Sequence, residues 1–172
     1  MELTSIIYDG RTIARRPSQY DEAVLSDAFD AILPELAAEC DWDMEKDVST
    51  INKARREFIK AKSMDGYKIM RHFEMCLGWD GDARCVKIFD DAPFRQCLAD
   101  HVRSWIDYFK IEPLFREGDT VAFMHGCEEL CGEVETVKTL GEPGRYTIRV
   151  EGMVGKPVVR WELCGQRLPQ TD

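Results

Sequence analysis

Apolar and polar residues alternate along the last third of this chain. Val134, Val137, Ile148 and Val150 each sit between polar neighbours, and Val121, Phe123 and Val159 extend the same alternation. A period of two places such residues on one face of a pleated sheet. Glycines cut the pattern about every ten residues, the rhythm of short strands joined by turns. The spacing predicts strands at Thr120–His125, Gly132–Lys138, Arg145–Glu151 and Pro157–Trp161, with a last short one at Gln166–Leu168. Gly141-Glu142-Pro143-Gly144 reads as a turn cluster, and Glu162-Leu163-Cys164 as a tight turn before the final strand.

The front of the chain changes period. Ser5-Ile6-Ile7-Tyr8 and Arg11-Thr12-Ile13-Ala14 flank Asp9-Gly10, a two-residue hairpin signal. Val24, Leu25, Ala28, Ile32 and Leu36 then recur at helical spacing behind Ser18, which reads as an N-cap. Pro34 predicts a kink or a break, because proline has no N–H to donate. A second helix is expected from Thr50 to Ser63, capped by Ser49, with Ile51, Ala54 and Phe58 on one face and Lys53, Arg56 and Lys60 opposite. Tyr67, Met70, Phe73, Met75 and Leu77 predict a further buried helix, and Cys85–Phe89 fits strand or helix equally. Asp91 and Pro93 open the clearest helix, whose stripe runs Phe94, Leu98, His101, Val102, Trp105, Ile106 and Phe109 before Pro113 ends it.

Composition adds three constraints. The net charge of −9 opposes general affinity for nucleic acid, which needs lysines and arginines on the phosphates. The charge is uneven: residues 1–48 hold twelve acids against four bases, net −8, while residues 51–72 hold seven bases against two acids, net +5. Seven cysteines without regular spacing suit free thiols in a reducing compartment. Met1-Glu2-Leu3-Thr4 lacks the basic start of a signal peptide, and no apolar run approaches the ~20 residues that span a bilayer, so a cytoplasmic, soluble protein is expected.

Phe115-Arg116-Glu117-Gly118-Asp119-Thr120-Val121 leads into Gly132-Glu133-Val134. A Gly-Asp-x-Val entry strand followed by a Gly-x-Val strand resembles SH3-like barrels of the KOW kind, over residues 115–168. The resemblance implies an interaction module. KOW-like relatives often contact RNA or ribosomal proteins, but this copy departs from them by being acidic. It also lacks the aromatic peptide-binding signature of signalling SH3 domains. A helical front before such a barrel is loosely similar to nitrile hydratase β-subunits and their accessory proteins, with no functional residue carried over. Residues 1–114 resemble no family.

Candidate chemistry is sparse. Asp41, Asp43, Glu45 and Asp47 place four carboxylates within seven residues of a connector. Their spacing begins like an EF-hand loop, but Lys46 stands where glycine is needed and Asn52 where the bidentate glutamate should be. They read instead as a solvated loop or as an acidic patch for a partner, and the basic stripe Lys53, Arg56 and Lys60 as a solvated face paired with that connector or as a second docking face. Arg55 and Lys62, near the apolar side of the same helix, favour a partner-facing surface. His125, Cys127, Cys131 and Cys164 offer four nitrogen and sulfur ligands for zinc if the barrel gathers them, against a reading as unmetallated thiols. Cys97 and His101 are spaced i, i+4, as a thiol and its base would be, or as core residues. Gly152-x-x-Gly155-Lys156 has the wrong spacing for a phosphate loop.

These readings converge on an α+β protein. A helical region with an N-terminal hairpin, residues 1–112, is followed by an SH3-like barrel, residues 113–172. The expected function is that of a non-enzymatic acidic adaptor or inhibitor binding a protein with a basic surface, without a cofactor, membrane or direct nucleic-acid contact. Acidic proteins of this size include phage and mobile-element proteins that block nucleic-acid enzymes. The alternatives are an RNA- or DNA-associated module using the basic helix at residues 50–63, and a thiol-dependent or hydrolytic enzyme with a cleft between the two regions.

Overall fold

The computed structural model describes residues 5–138 and 143–166. Two strands open the chain, β1 (Ser5–Tyr8) and β2 (Arg11–Ala14), joined antiparallel with Tyr8 opposite Arg11. Asp9 and Gly10 both take positive φ, the backbone that a two-residue hairpin turn demands. Five helices follow: α1 (Glu22–Glu39), α2 (Val48–Ala61), α3 (Gly66–Leu77), α4 (Ala83–Asp90) and α5 (Phe94–Phe109). The C-terminal strands are β3 (Thr120–His125), β4 (Glu128–Lys138), β5 (Arg145–Arg149), β6 (Val158–Arg160) and β7 (Cys164–Gln166). They form one antiparallel sheet in the order β6-β5-β4-β3-β7, curled into a half-barrel. The chain is α+β.

It divides into two compact units, one of residues 17–101 and one combining residues 1–16 with 102–172. The boundary falls inside α5, and the hairpin groups with the C-terminal strands, where the sequence placed it with the helices.

The core of the helical unit is aromatic. Phe58 lies 5.4 Å from Phe29, 5.7 Å from Phe94 and 6.0 Å from Phe89, ring centre to ring centre. Ile51, Ala54 and Phe58 are the buried face of α2, as its periodicity predicts. α1 runs unbroken through Pro34. Its N-cap is Asp21, not Ser18; Ser18 sits one turn upstream, and its hydroxyl donates to Asp21 at 2.7 Å. α2 starts at Val48, ahead of the expected Ser49 cap. On α3 the buried residues are Ile69, Met70 and Phe73. Tyr67 and Met75 are 64% and 73% exposed, because at ~100° per residue they fall off that face. Cys85–Phe89 is helix, started by Asp82, whose carboxylate accepts from the N–H groups of Arg84 and Cys85. Asp91 closes α4 and does not open α5, which ends at Phe109, before Pro113.

In the second unit, Val121, Phe123, Val134, Ile148 and Val159 are buried as their alternation requires, while Val137 and Val150 are only partly covered. Tyr8, Ile13 and Trp105 join this core, with Trp105 donating its indole N–H to the Ala14 carbonyl at 3.0 Å. β3 has the predicted bounds; β4 begins at Glu128, earlier than expected, and β5 stops at Arg149. A bulge at Glu135 shifts the β4–β5 register. Gly132 lies so close to the neighbouring strand β5 that a Cβ there would lie 2.5 Å from Ile148 Cγ2 and 2.6 Å from the Arg149 carbonyl. The Gly118-Asp119 entry is tied to this strand: the Gly118 N–H donates to the Val134 carbonyl, and Asp119 accepts from the Arg116 N–H at 2.7 Å. A single 3₁₀ turn, Trp161–Leu163, precedes β7. β7 covers Cys164–Gln166; the remainder of the expected last strand, Arg167 and Leu168, and Gly141 and Glu142 of the turn cluster lie outside the described residues.

Candidate functional site

A concavity of the helical unit holds about 350 Å³ and is lined by Glu39, Cys40, Trp42, Trp79, Asp80, Gly81, Asp82 and Cys85. Four pieces of chain build it, the last being α4, which supplies Cys85. The end of α1 supplies Glu39 and Cys40, the connector after it supplies Trp42, and the loop between α3 and α4 supplies Trp79 to Asp82. The connector folds back on α1: Asp41 takes positive φ, and the Trp42 N–H donates to the Ala37 carbonyl at 2.8 Å. That reversal sets the Trp42 ring against Trp79, with centroids 4.9 Å apart and planes inclined by 49°. Trp79 is held in turn by Phe73, edge-on at 5.0 Å. A second, smaller hollow of about 190 Å³ is also bordered by Trp79 and is lined by Ser49, Thr50, Lys53 and Leu77.

The electrostatics of the larger cavity are one-sided. Asp80 is exposed and makes no hydrogen bond or ion pair among the described residues. Asp82 stays ionised, its carboxyl held below the usual range by the backbone N–H groups of Cys85 and Arg84. Glu39 is bound to Arg84 at 3.0 Å. The floor is apolar and chemically quiet: burial pushes the Cys40 thiol up to about 12 and raises Cys85 as well. Indole faces with carboxylates around them attract cations, through the ring quadrupole and through charge.

The carboxylates predicted as a partner patch lie on the connector that carries Trp42, and they divide into two kinds. Asp43 and Asp47 hold the connector's fold. Asp43 accepts from the N–H groups of Glu45 and Lys46 and from the Lys46 ammonium at 2.7 Å, which together keep its carboxyl below the usual range, the ammonium contributing most. Asp47 accepts from the Asp43 N–H at 2.8 Å. Asp41 and Glu45 are exposed, with no side-chain partner among the described residues. The basic stripe is likewise mixed. Lys53 makes no ion pair or hydrogen bond among the described residues and borders the smaller hollow, Arg56 donates to the Asn52 carbonyl, and Lys60 is bound to Glu57 at 2.7 Å. Arg55 pairs with Asp30 and lies over the Phe29 ring at 5.8 Å, so its place beside the apolar face has an internal cause.

The four zinc candidates are not gathered. Phe123 faces Cys164 across one ladder and Ala122 faces Cys131 across the other, which puts Cys164 and Cys131 on opposite faces of the sheet. Cys127 is exposed in the turn and His125 in the strand beside it. Burial pushes Cys164 up to about 12, against ligation as a thiolate. His101 donates from Nε2 to the Asp27 carboxylate at 2.8 Å, while burial and the carboxylates of Asp27 and Asp100 raise the Cys97 thiol. A nucleophile needs the opposite shift.

Comparison with protein-family models, with characterised proteins and with solved structures finds no match. No helix among the described residues is long and apolar enough to cross a membrane. Sequence reasoning passed over the tryptophan pair. Its trace was the repetition of one local pattern, tryptophan beside carboxylates, in Asp41-Trp42-Asp43 and again in Trp79-Asp80-Gly81-Asp82.

Proposed function

We propose that this is a non-enzymatic, cytoplasmic protein-binding protein, an adaptor or an inhibitor, that docks a basic segment of its partner. The observation that carries this reading is the Trp42–Trp79 pair, two indoles 4.9 Å apart in a cavity whose exposed rim is acidic. A lysine or arginine side chain of the partner enters between carboxylate rim and indole face. Asp80, Asp41 and Glu45 steer it and raise the association rate at low salt. Cation–π contact contributes from about 0.5 kcal/mol at an exposed ring to about 2 kcal/mol when water is excluded. The overall charge of −9 supports the same polarity of partner and opposes a polyanion. The pairing of Lys60 and Arg56 within the chain weakens the reading of α2 as a nucleic-acid face.

We also propose that residues 115–168 are an SH3-like module of the KOW kind. Support comes from the strand order β7-β3-β4-β5-β6, from the 3₁₀ turn before the last strand and from the Gly118-Asp119 and Gly132 positions.

Indole fluorescence tests the cavity. Tetramethylammonium should quench it saturably, and the neutral isostere neopentyl alcohol should not. Trp79→Ala and Asp80→Asn should each weaken the response, the first more. Equal quenching by cation and neutral isostere would overturn the cation reading.

A further inference from the structure

Glu57 on α2 and His72 and Cys76 on α3 form the only group of three potential ligand side chains that converge among the described residues, with donor atoms all within 4.8 Å of one another. His72 and Cys76 are i, i+4 on one helix, so their side chains lie on one strip of surface. The Cys76 sulfur lies 3.9 Å from His72 Nδ1. The other ring nitrogen, Nε2, lies 3.0 Å from Glu57 Oε2. Glu57 is fixed by Lys60, whose ammonium is 2.7 Å from Oε1. That ion pair is the main cause of a carboxyl held below its usual range, with His72 adding to it. An ionised carboxylate only accepts, so Nε2 carries the ring proton and Nδ1 presents its lone pair to the thiol. Nucleophile, base and orienting group thus stand in line, in the relation that activates a cysteine.

We propose that Cys76 is a base-assisted reactive thiol, and that this site takes small disulfides, forming a mixed disulfide on α3. His72 Nδ1 accepts the proton of the Cys76 thiol as the sulfur attacks one sulfur of the disulfide. The Cys76 S–S bond forms while the bond within the disulfide breaks. The departing thiolate takes the proton from His72, so the Cys76 sulfur is oxidised and the leaving sulfur reduced, with no further reagent. Cys76 is exposed, which gives the disulfide access in line with the sulfur. The same three side chains could be read as a metal site. The Lys60 ammonium on Glu57 argues against that, because a divalent ion there would sit beside a fixed positive charge.

Cys127 supplies an internal standard. It is the other exposed cysteine, and it makes no side-chain hydrogen bond among the described residues. The full-length, reduced protein would be treated with a limiting amount of oxidised glutathione, and the modified cysteines mapped by peptide mass. Cys76 should react at least about tenfold faster than Cys127, below the range usual for a positioned base because a 3.9 Å contact is long. His72→Gln should bring the two rates together, and free imidazole should restore the difference in His72→Ala. Glu57 acts through the histidine, so its readout is the ring: nitrogen NMR should show the Nε2–H tautomer in the native protein and a mixture in Glu57→Gln, with unchanged helical circular dichroism. Cys76 reacting no faster than Cys127, or a ratio indifferent to His72→Gln, would overturn the proposal. So would stoichiometric zinc in the purified protein that His72→Gln releases.

Discussion

Arg16 is the most committed single residue. It is buried, and its guanidinium donates to the Gly144 carbonyl at 2.8 Å and the Pro143 carbonyl at 2.5 Å, with Glu162 at 3.4 Å. Burial pulls its pKa down while Glu162 opposes the loss of charge. Removing it strands the Pro143 carbonyl and the Glu162 carboxylate, while the Gly144 carbonyl keeps only the Trp161 N–H. Arg16→Met should therefore lower unfolding free energy by about 3–5 kcal/mol in urea titration. Arg16→Lys should recover only part, since an ammonium lacks the planar fork that reaches two carbonyls at once. None of this was visible beforehand. Arg16 sits in a run with Arg15, and only the return of the Pro143-Gly144 turn makes it internal. The tryptophan pair was hidden for the same reason. Periodicity reports which side of its own element a residue occupies, and Trp42 and Trp79 are on connectors, where there is no period to read.

Elements were legible where pattern and turn chemistry agreed. Asp9-Gly10 fixed the hairpin, and the alternation around Val121 and Phe123 fixed β3 to the residue. Boundaries failed where a side chain could cap from more than one place, as with Ser18 and Asp21. Ionised carboxylates hold a helix start, the connector and a pair on α2, and that sets a direction for pH. Asp82, Asp43 and Glu57 all have carboxyls held below their unfolded values. Such groups contribute stability above the unfolded pKa and lose it as pH falls through the folded one. Thermal midpoints should thus hold steady at neutral pH and drop once pH goes below about 4. Asp82→Asn should flatten that drop, and an unchanged acid limb in the variant would refute the account. In the sheet, Gly132→Ala must push on Ile148 and on backbone, so its melting temperature should fall more than that of the half-covered Val150→Ala. Ile148→Ala, from a fully buried position, should cost about 2–5 kcal/mol.

At the scale of the molecule, charge is the ground for the basic partner proposed above. A polyanion meets net −9, of which only residues 51–72 are locally basic. At a Debye length of about 8 Å the wider field still repels at close approach. Binding to random RNA or DNA at physiological salt should therefore be undetectable in the micromolar range, while a lysine-rich peptide should bind with an on-rate that falls steeply as salt rises. Replacing Asp41, Glu45 and Asp80 with amides should flatten that salt dependence. Adding Asp43→Asn and Asp47→Asn should also loosen the connector, a separate effect readable as lost protection of its amides.

The hairpin at Ser5–Ala14 shares its core with Phe115, Tyr146 and Trp161. A ribosome therefore delivers Tyr8 and Ile13 long before the residues that will cover them. The stretch 17–101 is continuous and can close its own core as it leaves the exit tunnel. Nascent chains arrested beyond residue 101 should carry protease-resistant helices behind a hairpin that is still cut. For that interval the exposed Ile13 and Tyr8 are what a chaperone would find to hold.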